Sequence, residues 1–520
     1  MNKTDSSSHS LLGIAARGSF LTFTGTLIDK GLFFIIRIII ARFFGATYFG
    51  LLVIGMLVSE FTQILASIGL PKGGMRFISF AIGSKDYGRI PKIFGTALAV
   101  PFLMSIVLSF VLFLFSEILS NRWFHNAELT AVFRVLAFSI PFATIVRVGV
   151  DLSRGFNTTK FSVLVENLFM PAINIIIFLL LYIFYSNFNS ILYAIVTANL
   201  MSAIFILILL RKQLRGLIGH SWPTARSFKG CFILKENMEY ITYSIPLFLT
   251  GFTGILMNSI DIFMLGRFLD EKYVGVYAAA SVFAATLLSS LIIMPLNSIF
   301  GPLIATQHGK NAPDKIGYLY IATTRWIFCV SLAFTVFSMI AREKIMLIFG
   351  KDFAIEGPIV LVILLIGNMV NCMTGGVGHV LSMTGHQKKE LATNVMALIL
   401  NIILNLLLIP RYGIIGAAVA TSSSLILINV LRVLLVYKIF KVQPITMTLL
   451  KLFLIGMSLV LLSFALKKFF PVMEYDILFA VLSLVIIVLA IRVIGLEKED
   501  MEVIESMIGK FTQALSVKKT

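Results

Sequence analysis

A chain of 520 residues that is 58% hydrophobic and only 13% charged, with a mean hydropathy of +0.97, lies far outside the composition of soluble domains. Those run about 45–50% apolar and about 25% charged. Apolar stretches of roughly 20 residues, the length of a membrane-spanning helix, fill most of it, and none alternates apolar with polar as a β-barrel strand does. The formal net charge of +18 sits in short connections between these stretches, which reads as membrane topology and not as nucleic-acid binding.

In chain order, residues 1–18 are polar and Ser-rich, with no short apolar core and cleavage site after them, so no removed signal peptide is expected. The predicted fold is an all-α polytopic membrane protein of about fourteen transmembrane helices. Six spans near 19–40, 48–70, 92–116, 129–150, 161–185 and 190–210 make a first lobe, 19–210. A basic connection, 211–239, leads to a second lobe, 240–438, with spans near 240–265, 274–304, 318–341, 357–384, 390–409 and 413–437. Two more spans, near 446–466 and 475–494, complete a 446–494 pair. In the tail, 495–520, Leu496, Ile504, Met507, Ile508, Phe511 and Leu515 share one face of an amphipathic cytoplasmic helix.

The two lobes read as copies. Arg42, Phe43, Tyr48 and Gly50 recur as Arg267, Phe268, Tyr273 and Gly275, at an offset of 225 residues (267 minus 42). Asn167 and Asn174 recur as Asn394 and Asn401, at an offset of 227 (394 minus 167). Six spans is an even number, so both copies enter the membrane from one side, as parallel repeats. Basic residues concentrate in alternate connections: Lys72 to Lys92, Arg154 with Lys160, Arg211 to Lys235, Lys388 with Lys389, and Lys438 with Lys441. That bias places both termini in the cytoplasm. The basic connection serves as linker and topology signal, and also suits anionic lipid head groups.

Charge inside a span costs about 2.5–3.5 kcal/mol on insertion scales, so it normally faces a wet cavity or a partner. Span one carries Asp29, Lys30 and Arg37; span two Glu60; span four Arg134 and Arg147, with Arg154 beyond it; span five Glu166; span seven Asp261. Lys30 and Arg37, seven residues apart, project from one helix face. Lys30, Arg37, Arg134, Arg147 and Arg154 are therefore the candidate cations for an anionic group such as a phosphate, to which Arg offers a planar fork and Lys a point charge. Asp29, Glu60, Glu166 and Asp261 are the candidates for coupling to H⁺ or Na⁺. The alternative is structural: these carboxylates pair with the cations and lock helices together.

Gly25, Gly31, Pro246, Gly251 and Gly254 equip the first helix of each copy to bend, and Gly375, Gly376 and Gly378 do so for span ten. The asparagines, Asn405 included, suit hydrogen bonds between helices, and His379 and His386 read as structural. Cys231, Cys329 and Cys372 lie far apart without metal-ligand spacing. There is no G-x-x-x-x-G-K-[ST] loop, and no large extracytoplasmic loop with paired carboxylates; no catalytic residue, cofactor or metal is expected.

Residues 409–418, Ile-Pro-Arg-Tyr-Gly-Ile-Ile-Gly-Ala-Ala, with Asn401 and Asn405 before them, resemble the C-terminal signature of polysaccharide-biosynthesis membrane proteins. Residues 41–45 with Tyr48 and Gly50, and residues 381–385 followed by Lys388, are similar to other parts of that family's pattern. These are lipid-linked oligosaccharide flippases of the multidrug/oligosaccharidyl-lipid/polysaccharide exporter superfamily. The resemblance implies two six-helix lobes in a V around a central cavity, plus two C-terminal helices. It also implies translocation of a polyprenyl-(pyro)phosphate-linked glycan to the outer leaflet, alongside a glycan polymerase or glycosyltransferases. In the related lipid II flippases, basic residues of the first helix face the cavity; Lys30 matches one such position and Arg37 falls beside another. The adjacent arginines that those flippases carry late in helix two are absent, where this chain has Ala66-Ser67-Ile68-Gly69. That departure favours a polysaccharide or glycoprotein glycan over a peptidoglycan precursor. A cation-coupled multidrug exporter on the same fold is the nearest rival.

Overall fold

The computed structural model describes residues 3–156, 158–218, 238–310, 312–469 and 476–495; side chains are described from residue 24 onward, apart from 217–218, 238 and a few between 286 and 302. The expectations for the middle of the basic connection, Cys231 included, and for the amphipathic tail from residue 496 lie outside them. Every regular element among the described residues is helical.

The helices are α1 (Lys3–Ser67), α2 (Leu70–Gly83), α3 (Ile90–Ile118), α4 (Glu128–Gly155), α5 (Met170–Tyr185), α6 (Asn189–Ile218), α7 (Met238–Phe268) and α8 (Glu271–Ser281). They continue with α9 (Met294–Gly309), α10 (Pro313–Ile340), α11 (Arg342–Phe349), α12 (Phe353–Met373), α13 (Val377–Met383), α14 (Gln387–Phe440), α15 (Met447–Phe469) and α16 (Asp476–Ala490). Eleven helices among the described residues are long and apolar enough to cross a membrane, so the chain is a multi-pass membrane protein. The count differs from fourteen for physical reasons. Spans one and two are joined in α1, and spans eleven and twelve in α14, across a single non-helical residue each: Gly45 (φ 78°) and Gly413 (φ 58°). Only glycine enters that region without a steric penalty, so the chain bends there without a polar loop. Expected span eight is broken by π-helical turns at Val282–Leu287 and Ser289–Ile293.

The chain divides into two compact units. The first comprises Met1–Leu291, Met346–Leu364 and Leu391–Ser424. One apolar core in it joins α2, α3, α4, α6 and α7 through Leu70, Ile78, Phe94, Leu152, Ile206 and Tyr240. The Asn126 carboxamide oxygen accepts the Glu128 N–H at 2.7 Å as α4 begins, and midway along the helices Ser109 of α3 donates to the Ala137 carbonyl of α4 at 2.6 Å. The second unit comprises Ile292–Ile345, Leu365–Glu390 and Leu425–Thr520. Ile304, Ile316, Tyr320, Val380, Leu381 and Val436 form its core, and Lys467 ties α15 to Glu343 at 2.5 Å and to Asp476 at 3.5 Å.

Within the first unit the duplicated motif packs on its own copy. A methyl group on Gly50 would overlap the backbone carbonyl of Glu271, and one on Gly275 would overlap that of Ala46. Ala46 and Glu271 precede their glycines by the same four positions, so the contact is reciprocal, backbone against backbone, as small residues permit. Arg42 follows the same logic, donating to the carbonyls of Ile348 at 2.7 Å and Leu347 at 3.2 Å, while Arg267 lies 3.1 Å from the Nδ1 of His125. Overpacking here is expected to cost about 1–3 kcal/mol or more. Gly50→Leu should therefore lower the yield of monodisperse protein on size-exclusion chromatography in detergent, whereas Gly83→Leu, where a side chain meets open space, should not.

Candidate functional site

A cavity of about 650 Å³ lies within the first unit. Arg37, Ser59, Glu60 and Gln63 of α1 form one wall; Ser139, Arg147, Asp151 and Arg154 of α4 form another. Glu166, Asn174 of α5, Asn199 of α6 and Phe248 and Ser259 of α7 complete it. Lys72 enters because Ile68 and Gly69 take positive φ values of 45° and 72°, which folds the chain back, and Pro71 sits in the first turn of α2.

The charges are unequally matched. Arg154 is bound twice, by Asp151 at 3.0 Å and by Glu166 at 2.7 Å, the latter presented by a π-helical segment, Val163–Phe169. Arg37, Arg147 and Lys72 have no ion pair among the described residues, against one carboxylate in the same condition, Glu60. Instead, the Arg37 guanidinium lies 4.1 Å from the centre of the Phe33 ring and 5.9 Å from that of Phe49. Stacking of this kind holds the planar group while leaving its N–H edge available to an anion.

The other expected cations stand elsewhere. Lys30 pairs with its neighbour Asp29 at 3.1 Å and is not in the cavity lining. Arg134 is exposed, pairs with Glu117 at 3.6 Å and donates to Ser116 at 3.1 Å, also outside the lining. Several lining residues lie outside the set of site residues predicted from sequence, Asp151, Lys72, Ser59 and Asn199 among them. Lys72 reads as a loop charge, and its signal was the Gly69-Leu70-Pro71 break that returns it to the wall. Ser59 and Asn199 are polar residues in apolar spans, and that placement is their signal. Two further cations inside helices also lie outside the predicted set: Arg325 in α10, 2% exposed, and the half-buried Arg432 in α14.

Asp261 does not line the cavity. It is 4% exposed; the Tyr277 hydroxyl donates to it, and so does Thr421 at 3.1 Å. Asn401 reaches Thr421 at 3.4 Å, and Asn405 donates to Asn401 at 2.9 Å. The result is a buried carboxylate in a shell of hydroxyl and carboxamide groups with no cationic partner among the described residues. Among the described residues no three His, Cys, Asp or Glu side chains group to hold a metal ion.

A family model described as polysaccharide biosynthesis protein matches residues 15–308, and one described as MatE matches residues 246–407. Over 199 residues the chain is 27% identical to the probable low-salt glycan biosynthesis flippase Agl15 of Haloferax volcanii, a match covering 38% of this chain and only 40% of that relative. Over 423 residues it is 26% identical to the uncharacterized membrane protein MJ1375 of Methanocaldococcus jannaschii, covering 80% and 96% of the two chains. Among solved structures, the lipid II flippase MurJ in an inward closed conformation matches with a TM-score of 0.70 at 16% identity, covering 90% of this chain and 98% of that one. That last likeness is one of fold.

Proposed function

The chain belongs to the polysaccharide biosynthesis protein family, and from that premise we propose that it is a flippase for a polyprenyl-(pyro)phosphate-linked oligosaccharide, moving it from the cytoplasmic to the outer leaflet of the plasma membrane. The observation that carries the reading is the excess of cations without ion pairs among the described residues on the cavity wall: Arg37 and Arg147, within spans where unpaired charge is costly, and Lys72 at the start of α2. Phosphate oxygens are the natural partner for such a set. Arg37 grips the phosphate, Arg147 and Lys72 add charge, and Arg154, already held by two carboxylates, positions that wall. The (pyro)phosphate and glycan cross through the cavity while the polyprenyl chain stays in lipid, so the protein acts as a carrier and not as a catalyst. Both termini lie in the cytoplasm, as the basic connections suggest.

The Asp261 cluster is the proposed coupling site. Its donors are oxygen-rich, which suits H⁺ or Na⁺, and a buried carboxylate without a cation gains most from binding one. The multidrug-exporter reading calls for an acid-lined cavity; here two of the three cavity carboxylates are already bound to Arg154. Deletion of the gene tests the proposal in cells. Lipid-linked glycan should accumulate on the cytoplasmic leaflet, with the surface glycan lost and drug resistance unchanged. Normal surface glycan with raised drug sensitivity would overturn it in favour of the exporter.

A further inference from the structure

The arrangement at Arg37 recurs outside the cavity. On α2 the Arg76 guanidinium lies 4.0 Å from the centre of the Tyr243 ring of α7 and 5.7 Å from that of Phe77, with no ion pair among the described residues. Glu239, one turn before Tyr243 on α7, is already paired with Arg89 at 3.6 Å. Stacking sets the plane of the guanidinium and leaves its N–H edge available to an anion, as it does for Arg37 on Phe33.

The packing of α2 decides which side chains stay open. Ser79 donates to the Gly155 carbonyl at the end of α4 at 2.9 Å, and the Tyr240 hydroxyl of α7 donates to the Leu70 carbonyl at 2.5 Å. A methyl group on Gly73 would overlap Ser244 of α7. The face left exposed carries Lys72 and Arg76, one turn apart. Lys72 lines the cavity. Arg76 stands about 6 Å further along the helix, toward the connection holding Lys85 and Arg89, which the bias of basic residues assigns to the cytoplasm. A second cavity, of about 520 Å³, is lined by Tyr243 and Leu247; Leu247 also lines the main cavity, so the two adjoin at that side chain.

We infer that Arg76, held on Tyr243, is the first phosphate contact on the cytoplasmic approach, from which the carrier's (pyro)phosphate passes to Lys72 and then to Arg37. This rests on the reading that the head group enters this cavity. Three cations in series, none tied to a carboxylate among the described residues, suit an anion that must move, because no counter-charge has to be displaced at any step. A cation at an exposed rim acts on capture more than on the final bound state.

The test is movement of undecaprenyl diphosphate carrying N-acetylglucosamine between the leaflets of phosphatidylcholine vesicles that hold the full-length protein, with the mole fraction of this probe varied. Arg76→Gln should raise the half-saturating mole fraction about five- to tenfold and change the maximal rate by less than about twofold, as loss of a capture contact does. Tyr243→Leu, which removes the ring and keeps the guanidinium, should raise it several-fold; Tyr243→Phe should not. Combined with Arg76→Gln, Tyr243→Leu should add nothing, because the ring acts through the guanidinium. An unchanged half-saturating mole fraction in Arg76→Gln, or a fall in maximal rate alone, overturns the contact. So does an effect that appears only when phosphatidylglycerol is added to the vesicles, which would make Arg76 a contact for bulk anionic lipid. A fully additive Tyr243→Leu overturns the positioning role of the ring. None of these outcomes touches the phosphate reading of the cavity. That reading falls instead if the unaltered protein moves no probe, or if Arg37→Glu moves it undiminished. Should Tyr243→Leu lower the yield of folded protein, Arg76→Gln, a change on an exposed helix face, decides alone.

Discussion

Arg37→Glu should reduce delivery of the lipid-linked glycan more than 100-fold while leaving the amount of folded protein in the membrane within about twofold. The guanidinium is held by the rings of Phe33 and Phe49 and not by a carboxylate, so its removal leaves no orphaned counter-charge beyond Glu60, which is exposed to the cavity. The new glutamate would stand near Glu60 on a wall that must receive an anion. At about 4 Å and an effective dielectric constant of about 20, one unit-charge pair amounts to roughly 4 kcal/mol, so exchanging attraction for repulsion is worth well over two orders of magnitude. Arg37→Lys, which keeps the charge and loses the planar fork, should fall between. Lys30→Ala should change delivery by no more than a few-fold, because Lys30 neutralises Asp29 and stands outside the lining. Quantifying surface glycan by lectin binding, with protein level by immunoblot, checks all three; full delivery by Arg37→Glu refutes the phosphate-grip role.

Asp261→Asn should abolish the response of transport to an imposed H⁺ or Na⁺ gradient while leaving binding of undecaprenyl diphosphate intact. Asn is nearly isosteric, and its carboxamide oxygen still accepts from Tyr277 and Thr421, so the fold is retained. What disappears is the group able to change charge. Asp261 is absent from the cavity lining, so loss of gradient response without loss of affinity separates coupling from substrate contact. Gradient-driven uptake at least tenfold below that of the unaltered protein is the expected result, measured in proteoliposomes with each gradient applied alone. A variant that responds as strongly as the unaltered protein excludes Asp261 from coupling.

Much of this was readable from residue order. The family resemblance carried by Arg42 to Gly50 and by Pro410 to Ala418 is borne out, and the reciprocal Gly50 and Gly275 contact explains why those motifs repeat: each copy is the other's packing surface. Arg37, Arg147, Arg154, Glu60 and Glu166 announced themselves because charge within an apolar span needs a reason, and they do meet at one cavity. The sequence left both a cavity and a neighbouring carboxylate open for Lys30, since Asp29 is adjacent in the chain and the structure pairs the two. Lys72 was hidden because hydropathy treats any basic residue between spans as a loop charge. Helix boundaries blurred at Gly45 and Gly413 because a one-residue kink carries no polar punctuation. Arg325 and Arg432 each lie inside a long helix whose window-averaged hydropathy absorbs a single charge.

The most direct measurement is movement of a lipid-linked sugar by the purified protein. Proteoliposomes would carry undecaprenyl diphosphate bearing N-acetylglucosamine in one leaflet, with appearance in the other followed by a membrane-impermeant sugar-modifying enzyme. The unaltered protein should equalise the leaflets far faster than empty liposomes, and Arg37→Glu should not exceed the empty-liposome rate. Equal rates with and without the unaltered protein, or an undiminished rate with Arg37→Glu, would contradict the account.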